Sequence, residues 1–175
     1  MSSDRRVELL FVGRPVPEKG LADAIAALRR LEHRPWHLTI VGELPPDADL
    51  AGLTGLVTLL GCVRNREIAA IMAARDVLLI PSHYETFGNV ALEGLACGMI
   101  VIASYTGGLK SLVTDGENGF HILPKDADGL TRKLQFVIEH LGELSGIRRN
   151  ARASALRYSW DEVVRQTAAL LARYA

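Results

Sequence analysis

From Phe87 to Cys97 the chain runs through eleven residues of which only Asn89 and Glu93 are polar. Such a stretch reads as a helix that is apolar on nearly every side, and a helix of that kind belongs in an interior. An ionised carboxylate there is costly unless a cation or hydrogen-bond donors meet it. Glu85, Asn89 and Glu93 stand at i, i+4 and i+8, which on one continuous helix makes a single polar stripe. Eight residues of helix span about 12 Å, the reach of a ligand with a phosphate-sized group between its two ends. The stripe is expected to be a ligand face.

Around this segment, short apolar runs alternate with amphipathic stretches, the pattern of a parallel sheet joined by crossover helices. Strands are expected at about 7–13, 37–42, 56–61, 76–80, 100–103 and 119–122. A first helix over 19–32 places Leu21, Ile25, Leu28 and Leu31 on one face, and a second over 65–74 presents Ile68, Ile71 and Met72. Two more are expected over 126–141 and 145–157. The last starts at a capping box, Ser159-Trp160-Asp161-Glu162, followed at helical spacing by Val163, Val164, Thr167, Leu170, Leu171 and Tyr174. Six strands in this order predict a Rossmann-like, doubly wound α/β domain, whose ligands bind beyond the carboxyl ends of the strands. Arg14, Val63 and Glu85 all fall just past such ends.

Composition narrows the function. At 175 residues the chain is one domain with room for a real core. Twenty basic and twenty acidic residues give no net charge, which argues against nucleic acid as a partner. No apolar run has the length of a membrane span, and the charged start is not followed by a signal-peptide core. Cys62 and Cys97 are the only cysteines, expected to be small packing residues of a protein in the reducing cytoplasm.

Arg14 and Lys19 flank the turn from the first strand into the first helix, where two cations beside backbone N–H groups suit a phosphate dianion. The N–H groups of Phe87, Gly88, Asn89 and Val90 are the orphan donors expected at a helix start. Two Asp-x-Asp strings, Asp47-Ala48-Asp49 and Asp126-Ala127-Asp128, sit in a proline-rich loop and at a helix start. Both read as structural, so no metal site is expected. His83 precedes Glu85 and invites a general-base role, but reads better as an exposed or packing histidine. The other histidines lack metal-ligand spacing.

Pro81-Ser82-His83-Tyr84-Glu85-Thr86-Phe87-Gly88 followed by Leu92-Glu93-Gly94-Leu95-Ala96-Cys97-Gly98 resembles the E-x7-E signature of retaining GT-B-fold glycosyltransferases, family 4, group 1. Gly13-Arg14 with Lys19-Gly20, Thr39-Ile40-Val41-Gly42, Val57-Thr58-Leu59-Leu60-Gly61, Gly107-Gly108 and Asp115-Gly116-Glu117-Asn118-Gly119-Phe120 resemble further family segments, in the family's order. Ile100, Gly94, Lys110, Ser111 and Glu43-Leu44 depart from the pattern and leave the phosphate and glutamate motifs intact.

The resemblance implies that residues 1–175 are one half of a GT-B fold, the carboxy-terminal, donor-binding domain, without the amino-terminal acceptor domain. The implied donor is a nucleoside diphosphate sugar, UDP- or GDP-linked, with no cofactor and no metal. It implies that Arg14 and Lys19 stabilise the leaving diphosphate, that Glu85 faces the transferred hexose and that Glu93 accepts the ribose hydroxyls. Phe87, Gly88, Asn89 and Val90 would offer main-chain donors, and Val63 would touch the base. The acceptor domain would act in cis or in trans, and the whole enzyme would be cytoplasmic, free or peripheral at the membrane surface. Other readings are a non-catalytic nucleotide-sugar-binding subunit or sensor, a GT-B nucleotide-sugar epimerase, and a starch or glycogen synthase.

Overall fold

The computed structural model describes residues 5–46 and 48–173. Six strands, β1 (Val7–Val12), β2 (Trp36–Val41), β3 (Val57–Gly61), β4 (Val77–Ile80), β5 (Ile100–Ser104) and β6 (Gly119–Ile122), form one sheet in the order β3-β2-β1-β4-β5-β6. Every pairing is parallel. The expected strands match to within a residue at each end. The helices are α1 (Leu21–Arg29), α2 (Asn65–Ala73), α3 (Asn89–Ala96), α4 (Leu109–Leu112), α5 (Ala127–His140), α6 (Ser145–Ala155) and α7 (Trp160–Leu171).

Strand periodicity builds three layers. On one side of the sheet Val7, Leu9 and Phe11 pack with Leu21, Ile25 and Leu28 of α1 and with Leu130, Leu134 and Val137 of α5. Leu10 faces the other side, where Ala91 and Leu95 of α3 and Ala151 and Ala155 of α6 cover the sheet. Alternating faces with helices on both is what the β2–β1–β4 register demands of strands buried on both sides. The edge strand β3 is mostly exposed. Helix α7 has its expected cap, Ser159 Oγ accepting from Glu162 N at 3.3 Å, yet buries none of its residues. No helix of the described residues is long and apolar enough to cross a membrane.

The strand order reverses its winding between β1 and β4, and a crevice opens at that switch point. The ends of β1 and β2 beside it lie close together. Gly13 N donates to Val41 O at 3.0 Å, and a Cβ on Gly42 would sit 2.0 Å from Gly13 O, with φ of 121° besides. Gly42→Ala is therefore expected to cost about 2–3 kcal/mol of stability, read as a shift in the urea midpoint. An unchanged midpoint would show that the β1 and β2 ends are free to separate.

Candidate functional site

The turn after β1 carries the first half of the site. Pro17–Lys19 forms a 3-10 turn, with proline at its start and Gly20 (φ 70°) at its end, so α1 begins at Leu21 rather than at Lys19. Lys19 Nζ meets Glu85 Oε2 at 2.6 Å, both side chains being about four-fifths buried. Arg14 is exposed on the same turn and, among the described residues, has no ion-pair partner.

Glu85 lies on the loop between β4 and α3, which corrects the expected stripe. α3 starts at Asn89, because Gly88 takes a left-handed conformation (φ 98°) and ends the loop as the helix N-cap. Only Asn89 and Glu93 share the helix; Glu85 reaches Lys19 from the loop before it. No side chain caps α3, so the N–H groups of Gly88, Asn89, Val90 and Ala91 have no intrahelical acceptor. Phe87 and Asn89 are exposed at this start, and Val90 is half-buried.

Neighbouring backbone fixes the loop. Gly108 N donates to Glu85 O at 3.1 Å, and a Cβ on Gly107 would fall 1.7 Å from that same oxygen. His83 N donates to Glu18 O at 2.7 Å, and His83 Nε2 to Asp23 Oδ2 at 2.7 Å. A recess of about 10 Å³ remains between Lys19, Glu85, Ser82 and Val90, room for about one water. Ser82 Oγ is buried there without a hydrogen-bond partner, an orphan of the kind that water or a ligand satisfies.

Glu93 is the second correction. Gly94, Leu95 and Ala91 form the buried face of α3, while Asn89, Glu93 and Ala96 face outward. Glu93 opens on a cleft of about 430 Å³ between α3, α6 and the start of α7, lined by Leu92, Arg152, Leu156 and Tyr158. Its surface is exposed, yet the apolar wall beside the carboxyl removes enough water to raise its pKa. The apolar run was read as burial on all sides, but glycine and alanine let α3 lie flat on the sheet and leave the glutamate outside. Val63, past the end of β3, is half-buried against the α3 side of the core.

The remaining candidates resolve simply. Asp126 accepts from Gly129 N at 2.7 Å and caps α5, as expected. Asp49 pairs with Arg29 at 2.6 Å, while Asp47 lies outside the described residues. Cys97 is half-buried, its thiol pKa raised by burial first and by the Glu93 charge second. Cys62 is exposed, contrary to a packing role. The His83–Asp23 and Phe87–Tyr158 contacts were missed: their partners are 60 and 71 positions apart, beyond any periodic signal.

The family described as "Glycosyl transferases group 1" matches residues 2–154. A glycogen synthase of Mycobacterium tuberculosis is 36% identical over 173 residues, 92% of this chain and 41% of that protein. The chain thus spans about two fifths of that relative's length. Among solved structures, the sucrose-phosphate synthase of Thermosynechococcus elongatus superposes with a TM-score of 0.84 at 29% identity, over 99% of this chain and 46% of that one. Anabaena HepE in complex with UDP-glucose gives 0.81 at 27% identity, over 98% and 50%.

The raised pKa of Glu93 carries a sign. A carboxyl whose folded pKa exceeds its unfolded value favours folding below the unfolded pKa, and this contribution is lost as pH rises through the folded one. Glu93→Gln is therefore expected to raise the melting temperature at pH 7, with the gain fading below about pH 4. Paired thermal melts across that range are the test. A variant less stable than the parent at pH 7 would mean that the carboxylate has a partner.

Proposed function

Because the chain belongs to the group 1 glycosyltransferases and has the sheet of a GT-B half, we propose that it is the donor-binding domain of a retaining hexosyltransferase. The observation that carries the reading is the Lys19–Glu85 pair at the switch point, with exposed Arg14 beside it and the open N-terminus of α3 opposite. Cations and free N–H groups around one crevice fit a diphosphate, and a carboxylate fits the sugar attached to it.

In this reading the donor is a UDP- or GDP-hexose. Its diphosphate takes Lys19 from Glu85 and engages Arg14. Glu93 accepts the ribose hydroxyls, Val63 touches the base, and the N–H groups around Phe87, Gly88, Asn89 and Val90 hold the phosphate and sugar. As the glycosidic bond to the leaving phosphate breaks, the acceptor hydroxyl attacks the same face. Its proton passes to a phosphate oxygen, and configuration is kept. Arg14 and Lys19 stabilise the departing diphosphate, electrostatic help of the kind that often supplies the largest catalytic contribution. No metal is required, since the cations already balance the charge. Glucose is the first sugar to test, because HepE was solved with UDP-glucose and a glycogen synthase is among the relatives.

Titration calorimetry with UDP, GDP and their hexose conjugates tests binding directly. A dissociation constant unchanged by EDTA is expected. Lys19→Ala should weaken binding roughly ten- to a hundredfold, the loss of one charge-assisted bond of about 1.5–3 kcal/mol. Failure of the folded protein to bind any nucleoside diphosphate would remove the proposal.

Transfer needs an acceptor held about 3–3.5 Å from the anomeric carbon, a task proposed for an amino-terminal GT-B domain in cis or in trans. Residues 1–175 alone are expected to bind donor with negligible transfer. Turnover should appear with that domain supplied, and Glu85→Gln should then depress it strongly. Efficient transfer by the isolated domain, measured as radiolabelled sugar reaching the acceptor, would refute the division of labour.

A further inference from the structure

His83 is a chemically capable side chain of the Glu85 loop that the proposed reaction leaves unused. It is tied at three points. Its main-chain N–H donates to Glu18 O at 2.7 Å, on the 3-10 turn that carries Lys19. Its carbonyl accepts from Thr106 Oγ1 at 3.4 Å, next to the glycines that back Glu85. Its ring Nε2 donates to Asp23 Oδ2 at 2.7 Å. Asp23 stands in the first turn of α1, where a carboxylate is held by the helix dipole. Both side chains are about three-quarters buried.

These bonds join the three segments that meet at the crevice. Asp23 belongs to the body of α1, packed on the sheet through Leu21, Ile25 and Leu28. His83 therefore anchors the loop to rigid structure two residues ahead of Glu85. A Glu85 carboxylate on a free loop would sample many positions. Held at His83 on one side and at its own carbonyl by Gly108 N on the other, it is confined opposite Lys19. Confinement of this kind makes a sugar contact effective, because a side chain already held in place gives up less freedom when the ligand binds.

We propose that His83 and Asp23 form a positioning pair that seats Glu85 and thereby sets affinity for the sugar of the donor rather than for its nucleotide. The inference rests on the donor-binding reading above. It gives His83 no contact with the reacting atoms and no proton to move.

The split between ligands is the test, since a merely structural loss would weaken both alike. Calorimetry of the parent, His83→Ala, His83→Gln and Asp23→Ala would compare a nucleoside diphosphate with its hexose conjugate. Expected for His83→Ala is a loss of about tenfold for the conjugate and under twofold for the bare nucleotide. His83→Gln, whose amide N–H can still donate to Asp23, should recover most of the loss. Asp23→Ala, which removes the acceptor, should lose what His83→Ala loses, and the variant carrying both His83→Ala and Asp23→Ala no more than either. Equal losses for the two ligands, or none, would overturn the pairing while leaving donor binding intact. Were the parent to bind neither ligand, the functional reading itself would fall, and this inference with it. Should His83→Ala melt before it can be titrated, Asp23→Ala and His83→Gln carry the same comparison.

Discussion

The ion pair between Lys19 and Glu85 joins two segments 66 residues apart, and only the strand order makes it possible. Lys19 follows β1 and Glu85 follows β4, which are neighbours in the sheet although two strands separate them in sequence. At this boundary the winding reverses, so the loops leave towards opposite faces and a crevice stays open between them. Any other placement of β4 would carry Glu85 away from Lys19. Function is thus built on topology first and on side chains second.

Interaction strength matters as much as position. A partly buried ion pair gains Coulomb energy but gives up hydration on both sides, and the two nearly cancel. Such a pair holds the loop in register without locking it. In the proposed reaction a diphosphate takes the lysine over because the exchange swaps one carboxylate for a group that carries two negative charges. The glycines behind Glu85 contribute in another way: Gly107 and Gly108 allow their backbone to touch the Glu85 carbonyl, so the loop stays anchored by its main chain while its side chain changes partner.

Most of the fold could be read from the sequence because strands buried on both faces leave mainly apolar runs, as β1, β2, β4 and β5 do. The site was legible as a set of residues rather than as a geometry. Periodicity carried the helix of Glu93 back to Glu85, but Gly88 in a left-handed conformation ends that extrapolation. The same run implied a buried Glu93, since composition does not reveal which face of a short helix lies on a sheet. His83 read as incidental because its partner is on another element. In α7 the pattern forecast an apolar face correctly, yet Trp160 is 83% exposed and Leu171 65%; amphipathicity shows that a face is apolar, not what covers it.

The two cations of the β1 turn are unequal, and their inequality gives the site an order of events. Arg14 is exposed and, among the described residues, uncommitted, while Lys19 is held by Glu85. In the proposed reaction an arriving diphosphate meets Arg14 first, in high dielectric, where the attraction is weak and screened by salt. Lys19 follows only when the phosphate is deep enough to outcompete Glu85, as water leaves and each interaction strengthens. Release of Lys19 frees the carboxylate beside the sugar, where positive charge grows as the anomeric bond lengthens. One exchange of partners thus places cations on the leaving group and an anion by the sugar, so donor binding itself creates the charge arrangement that the transition state requires.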